Sequence, residues 1–218
     1  MCTPDDRGTG VVSERGTVTS THILEAARSC LLADGYANLS TRKVADAAGV
    51  PLSQIHYHFG GKSGMVLALL DQENRKLVAR QRTMYGSEMP LWKRYEQACD
   101  FLDDDLTSGY VRVLQEMIAA GWSERDIADR VLDLMKVWLD LLEEVATEAE
   151  ARFGSLGPFT AADIGVLVGL SFMGAEAMIL LGNDGWTARV RAALRRVGDL
   201  IRRYEEGITP RRAAARAR

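Results

Sequence analysis

Residues 40–59 read Ser40-Thr41-Arg42-Lys43-Val44-Ala45-Asp46-Ala47-Ala48-Gly49-Val50-Pro51-Leu52-Ser53-Gln54-Ile55-His56-Tyr57-His58-Phe59. Ser40 can cap a short helix by accepting from backbone N–H groups that the first turn leaves unpaired. Val44, Ala45 and Ala48 then fall on one inward side, and Gly49 ends the helix where a left-handed backbone is cheap only for glycine. Proline is tolerated at a helix start, so after Val50-Pro51 a second helix is predicted over Leu52–Phe59. Two short helices joined by a glycine-containing turn make a helix-turn-helix, whose second helix lies in the DNA major groove.

Turning ~100° per residue with Ile55 inward puts Ile55, Phe59 and part of Leu52 on the buried side. Ser53 and Tyr57 point the opposite way, flanked by Gln54 and His56. The reading surface is therefore Ser53, Gln54, His56 and Tyr57, with Leu52 at its edge. All four polar side chains can hydrogen-bond a base edge or a phosphate, and Gln can bond adenine through two atoms. Thr41, Arg42 and Lys43 at the start of the first helix, and Lys62 at the start of the next, are expected phosphate anchors that fix register without reading sequence. His56 and His58 lie two apart on different sides of one helix, so they do not chelate a metal together. His58 reads as a packed support, and no metal site is expected.

Working outward, an all-α chain is expected. A helix from Ser20 or Thr21 carries Ile23, Ala26, Ala27, Cys30 and Leu31 at the helical period and stops at Asp34-Gly35. Gly60-Gly61 separates Phe59 from a long helix over Lys62 to about Arg82. Further helices follow over Leu91–Leu106, Tyr110–Ala120, Ser123–Arg152, Ala161–Leu181 and Trp186–Glu205, with breaks at glycine-containing segments. Residues 1–18 read as a disordered arm, 19–66 as a three-helix DNA-binding domain, 67–206 as a helical regulatory and dimerisation domain, and 207–218 as a basic disordered tail.

The 218 residues are 47% hydrophobic, enough for one sizeable core with a smaller module beside it. The net charge of −3 is unevenly spread. Residues 14–83 hold nine basic and six acidic side chains, whereas 84–160 hold seven basic and sixteen acidic. That asymmetry points to a nucleic-acid face near the N-terminus. No basic stretch leads into an apolar segment at the start, so a cytoplasmic protein is expected. The apolar run Ile164–Ala175 is too short to span a bilayer, so no membrane span is expected. Three separated cysteines, Cys2, Cys30 and Cys99, read as reduced thiols, with redox sensing as the alternative. Asp103-Asp104-Asp105 fan out around a helix and read as a solvated face. No nucleophile elbow, phosphate loop or cofactor motif is present, so a binding protein without cofactor is expected in place of an enzyme.

The segments Ile23-Leu24-Glu25-Ala26-Ala27, Gly35-Tyr36, Ser40 through Val50, Ile55-His56-Tyr57-His58-Phe59 and Lys62 resemble the DNA-binding domain of the tetracycline-repressor (TetR) family over roughly residues 20–70. The chain departs from the family pattern at Pro51, where a Ser-like cap is usual, and at His56, where Tyr is usual. Beyond residue 85 the resemblance is architectural only. It implies a ligand-responsive repressor, bound as a homodimer to an inverted-repeat operator and released by a small-molecule effector held among the middle helices. Trp92, Phe101, Met117, Trp122, Met135 and Trp138 are the large apolar candidates to line such a cavity, with ordinary core as the alternative. The resemblance also implies that the last two helices pair with their counterparts in a four-helix interface. Their periodic seams are Ile164, Val168, Ser171, Ala175 and Met178, and Val190, Leu194, Val197, Ile201 and Tyr204, with Gly165, Gly169 and Gly174 allowing close approach. The alternative is that one or both seams face the chain's own core. A DNA-binding protein without an effector and an all-helical enzyme are the competing readings of the whole.

Overall fold

The computed structural model describes residues 14–216. Among them the structure is all helix, in the order α1 (Glu14–Asn38), α2 (Thr41–Ala48), α3 (Leu52–Phe59), α4 (Lys62–Tyr85), α5 (Leu91–Ser108), α6 (Tyr110–Gly121), α7 (Arg125–Phe153), α8 (Ala161–Leu180) and α9 (Asp184–Arg216). Most of the expected disordered arm, residues 1–13, lies outside the described residues. Its last residues do not behave as expected: α1 already begins at Glu14, because Glu14 and Arg15 are good helix formers and an acid suits a helix start. At the other end α9 runs past Glu205 to Arg216, so the stretch expected as a disordered tail is helical to that point. Its Ala and Arg residues are strong helix formers and extend a helix that is already nucleated.

The chain divides into two compact units between Leu69 and Leu70. In the first, α1 is interrupted where Gly35 leaves helical geometry at φ 75°, ψ 166°. Ile23, Ala27 and Leu31 of α1, Val44 of α2, Ile55 of α3 and Met65 and Val66 of α4 are fully buried and form its core. Removing apolar area from water at ~25 cal/mol per Å² is what holds so small a unit together. The junction of α3 with α4 is tight. A Cβ on Gly64 would collide with the Phe59 carbonyl oxygen, so only glycine fits there.

In the second unit α8 packs mainly on α7, α9 on α5, and α6 on α7. Val111, Val113 and Met117 of α6 and Ile127 of α7 are fully buried at its centre. Close approach of α7 and α8 depends on two glycines. A Cβ on Gly165 would sit 3.0 Å from the Glu143 amide nitrogen, and one on Gly169 would sit 2.5 Å from Leu139 Cδ2. These glycines therefore serve packing within the chain, whereas Gly174 meets nothing within 4 Å. The buried Arg94 is paired: it donates to both carboxylate oxygens of Glu148 at 2.7 and 3.1 Å. Glu205 of α9 accepts from the backbone N–H groups of Leu91 and Trp92 at 3.4 and 3.3 Å, which caps the start of α5.

By length and composition α8 is apolar enough to cross a membrane, which the sequence expectation had excluded from the shorter run Ile164–Ala175. The whole helix, not that run, sets the apolar length. In this fold it lies against α7, with Gly165, Gly169, Phe172, Ala175 and Ile179 buried, and exposes Val166, Leu167, Leu170, Met178 and Leu180.

Candidate nucleic-acid interface and regulatory cavity

The geometry of the first unit follows from local chemistry. Ser40 Oγ accepts from the Lys43 amide at 3.2 Å and caps α2. At its other end Gly49 takes the left-handed conformation, φ 62° and ψ 31°. The Gly49 amide donates to the Asp46 carbonyl at 3.2 Å and the Val50 amide to Ala45 at 3.0 Å, which satisfies the last carbonyls of α2. The chain turns and re-enters helix at Leu52, and Gly60 ends α3 with another left-handed residue, φ 74°.

This arrangement fixes which face α3 presents. Ile55 is wholly buried and Tyr57 is 80% exposed. Ser53 and His56 are exposed, while Leu52, Gln54 and Phe59 are half-buried. Ser53, His56 and Tyr57 thus form a polar outward surface with Gln54 at its edge. The half-buried His58 ring stands edge-on to Tyr57 at 5.0 Å and 78°, and 5.9 Å from Phe59, so it braces the face.

The four expected phosphate anchors differ in readiness. Arg42 is exposed and makes no ion pair among the described residues. Thr41 is half-buried. The Lys43 ammonium is 2.5 Å from Asp34 and is held in its charged form chiefly by that hydrogen bond. Lys62 places its ammonium 4.2 Å over the Tyr36 ring, and the Tyr36 hydroxyl is 3.2 Å from Ser63 Oγ. Lys43 and Lys62 therefore have structural partners that their positions in sequence do not announce.

The second unit holds a cavity of about 480 Å³ between the end of α4, α5, α7, α8, α9 and the segment after α7. None of the six large side chains expected to line a ligand site borders it. Trp122 is 84% exposed. Trp92 lies under the Arg202 guanidinium at 4.9 Å and Phe101 under Arg80 at 4.1 Å. Met117 is core. Met135 and Trp138 border only a small polar pocket of about 20 Å³, where Trp138 Nε1 donates to Gln81 Oε1 at 2.7 Å. Glu176 is buried in the same pocket. Burial pushes its carboxyl up to about 7, opposed by a hydrogen bond from Gln115 at 3.4 Å.

Small residues stand among the bulky ones that line the large cavity. Ala146, Ala149 and Gly157 line it and leave space that a larger side chain would fill, while Gly165 lines it with its missing Cβ directed at the α7 backbone. The signal in the sequence was the stripe of small residues on the C-terminal half of α7. The residues of the two expected seams fall on several faces. Ile164, Val168, Ile201 and Tyr204 border the cavity, Ala175 and Leu194 are buried inside the chain, and Val190 is half-buried. Of those seams only Ser171, Met178, Val197 and Tyr204 are exposed. The apolar face that does point outward runs through Leu167, Leu170, Met178 and Leu181, and through Val197 and Leu200.

Residues 23–69 match the sequence profile of bacterial regulatory proteins of the tetR family. That stretch is therefore similar to the DNA-binding domain of the tetR family. Within it α2 and α3 form a helix-turn-helix, the DNA-binding motif of such transcriptional regulators. No curated protein matches the sequence. Solved structures share the fold over nearly the whole length. A transcriptional regulator of the TetR family from Agrobacterium tumefaciens is 18% identical, with a TM-score of 0.69 over 83% of this chain and 98% of that one. A transcriptional regulator FadR from Bacillus subtilis in complex with stearoyl-CoA is 14% identical, TM-score 0.69, over 83% and 96%. The fatty acid degradation regulator FadR from Bacillus halodurans is 17% identical, TM-score 0.67, over 84% and 94%.

Proposed function

We propose that this chain is a TetR-family ligand-responsive repressor that binds an inverted-repeat operator as a homodimer and is released by a small-molecule effector. The observation that carries the DNA contacts is α3, with Ile55 wholly buried and Tyr57 80% exposed on the opposite side. Ser53, Gln54, His56 and Tyr57 read base edges, Leu52 contacts the groove wall, and Thr41, Arg42, Lys43 and Lys62 hold phosphates. Lys62 and Lys43 do so while keeping Tyr36 and Asp34 as partners.

Dimerisation is supported by the outward apolar side chains of α8 and α9. Leu170 is 56% and Leu200 67% exposed, in a helix pair whose neighbouring positions are core. Contiguous apolar surface of this kind marks an interaction site, and a two-fold partner presenting the same face buries it. Two recognition helices then meet successive major-groove faces of a symmetric operator.

An effector is supported by the cavity, whose size lies within the ~300–1,000 Å³ range of small-molecule sites. It weighs against an effector-free DNA binder. The FadR neighbour from Bacillus subtilis holds stearoyl-CoA, so the fold accepts small molecules. Helix α4 connects the two sites along the chain: it starts at Lys62 and ends at Tyr85, which borders the cavity.

Selection of genomic fragments on the purified protein tests this reading. Enrichment of one inverted repeat is expected. Recovery of fragments with no shared sequence would contradict it.

A further inference from the structure

A lysine at the start of a helix works against that helix. The unpaired amide groups there amount to roughly half a positive charge, which disfavours a cation in the first turn. Lys62 is nevertheless the first residue of α4, and no acidic residue stands in that turn to offset it. Its backbone is fixed beside the reading helix. The first turn of α4 is pressed against the end of α3, since a Cβ on Gly64 would collide with the Phe59 carbonyl oxygen, and the Met65 amide donates to the Gly61 carbonyl at 3.0 Å. What the backbone leaves free is the long, flexible lysine side chain.

Tyr36 supplies that restraint. It follows the break at Gly35, where φ 75° takes the chain out of the line of α1. The half-buried ring lies under the Lys62 ammonium, 4.2 Å from the ring centroid, and the Tyr36 hydroxyl is 3.2 Å from Ser63 Oγ on the same turn of α4. The ring is thus tied through its hydroxyl and occupied on its face. Two positions earlier Asp34 holds the other lysine, Lys43, through a carboxylate. The two grips differ in kind. A carboxylate neutralises the cation it holds, whereas a neutral ring restrains a cation and leaves its charge to act on a phosphate.

We infer that Tyr36 is a positioning residue of the DNA interface, whose ring pre-sets the Lys62 ammonium for a phosphate and so strengthens binding to any duplex. This role rests on the reading of Lys62 as a phosphate contact and adds to it a residue that acts on DNA through Lys62. Freezing one lysine side chain on binding weakens affinity by roughly threefold to tenfold, and the ring makes that restriction part of the folded chain before DNA arrives. The charge on Lys62 is unaltered, so the number of counterions released is unaltered too.

Fluorescence anisotropy of the full chain on a random-sequence duplex, over a salt series, tests this without the operator, because phosphate contacts do not depend on sequence. Tyr36→Leu should weaken binding roughly threefold to tenfold at an unchanged salt slope, and Tyr36→Phe, which keeps the ring, should restore it. The same Tyr36→Leu step should cost nothing further when Lys62 is already alanine, which a general loosening of the fold would not produce. Trifluorophenylalanine at position 36 keeps the shape of phenylalanine and withdraws electron density from the ring face. It should bind as weakly as Tyr36→Leu while melting like Tyr36→Phe, and this pair decides alone if Tyr36→Leu does not fold. Equal binding by the fluorinated and plain phenylalanine chains, or an equal Tyr36→Leu loss with and without Lys62, would overturn the inference. Lys62→Ala separates the role of Tyr36 from the reading beneath it. A salt slope lowered by about one unit keeps Lys62 as a phosphate contact whatever Tyr36 does, whereas an unchanged slope removes that contact and the assignment of Tyr36 with it.

Discussion

The two units of this chain were written in sequence to different rules. In the first, each decisive feature is local: a cap at Ser40, a left-handed turn at Gly49, a buried Ile55 two positions from an outward Tyr57. In the second, the same helical period produces three distinct faces on α8 and α9, one toward the core, one toward the cavity and one toward solvent. The difference teaches that periodicity fixes a helix but not which of its adjacent seams meets which neighbour.

The largest effect should come from the outward face. Leu170→Arg places a charge on the proposed interface and should convert the dimer to a folded monomer by sedimentation, with operator affinity falling at least about a hundredfold. Leu194→Glu should act differently, because Leu194 is core. Burying an unpaired carboxylate there should cost ~3–5 kcal/mol and lower the melting temperature of the chain itself. A folded dimer of Leu170→Arg would move the interface to another face. In the first unit Gly49→Val forces a β-branched residue to φ 62°. It should cost ~1–3 kcal/mol locally and abolish operator binding, while the second unit melts as before by calorimetry. Normal operator binding would show that the turn does not set the recognition helix.

Why the first unit was legible and the second less so follows from these residues. The span of α3, the stop at Gly35 and the turn at Gly49 depend on neighbours within a few positions, so sequence alone locates them. Lys43 and Lys62 were legible only as cations. Their partners Asp34 and Tyr36 lie nine and twenty-six residues away and come near only through folding. Bulk in the sequence does not mark the cavity, because none of the six large candidates borders it. Trp122, one of three tryptophans among the candidates, is exposed, while Ala146 and Ala149 line the space. On α9 Leu194 is buried and Leu200 exposed, and no local rule separates the two.

Glu176 sharpens the contrast through pH. Its carboxyl is raised by burial to about 7 in the folded chain from an ordinary 4.5, so the folded state holds a proton that the unfolded state has released. Stability from this group is fully present below pH 4.5 and is lost as pH rises toward 7. Glu176→Gln should remove that slope, raising the melting temperature at pH ~8 while changing it little at pH ~4, on the order of 3 kcal/mol at most. An identical pH profile in the variant would mean that Glu176 is ionised throughout. The smallest effect separates two anchors. Arg42→Ala should lower the salt slope of DNA binding by about one unit, and Lys43→Ala by less, because Asp34 already neutralises part of its charge. Equal slopes would mean that the Asp34 pair opens on DNA.

The central claim is that the exposed face of α3 reads base edges. Fluorescence anisotropy of Tyr57→Ala on the selected operator and on a scrambled duplex, over a salt series, tests it directly. The expected loss is ~1–3 kcal/mol on the operator and little on the scrambled duplex, so the specificity ratio falls while the salt slope stays. Equal loss on both duplexes would make Tyr57 a backbone contact and contradict the assignment of that face.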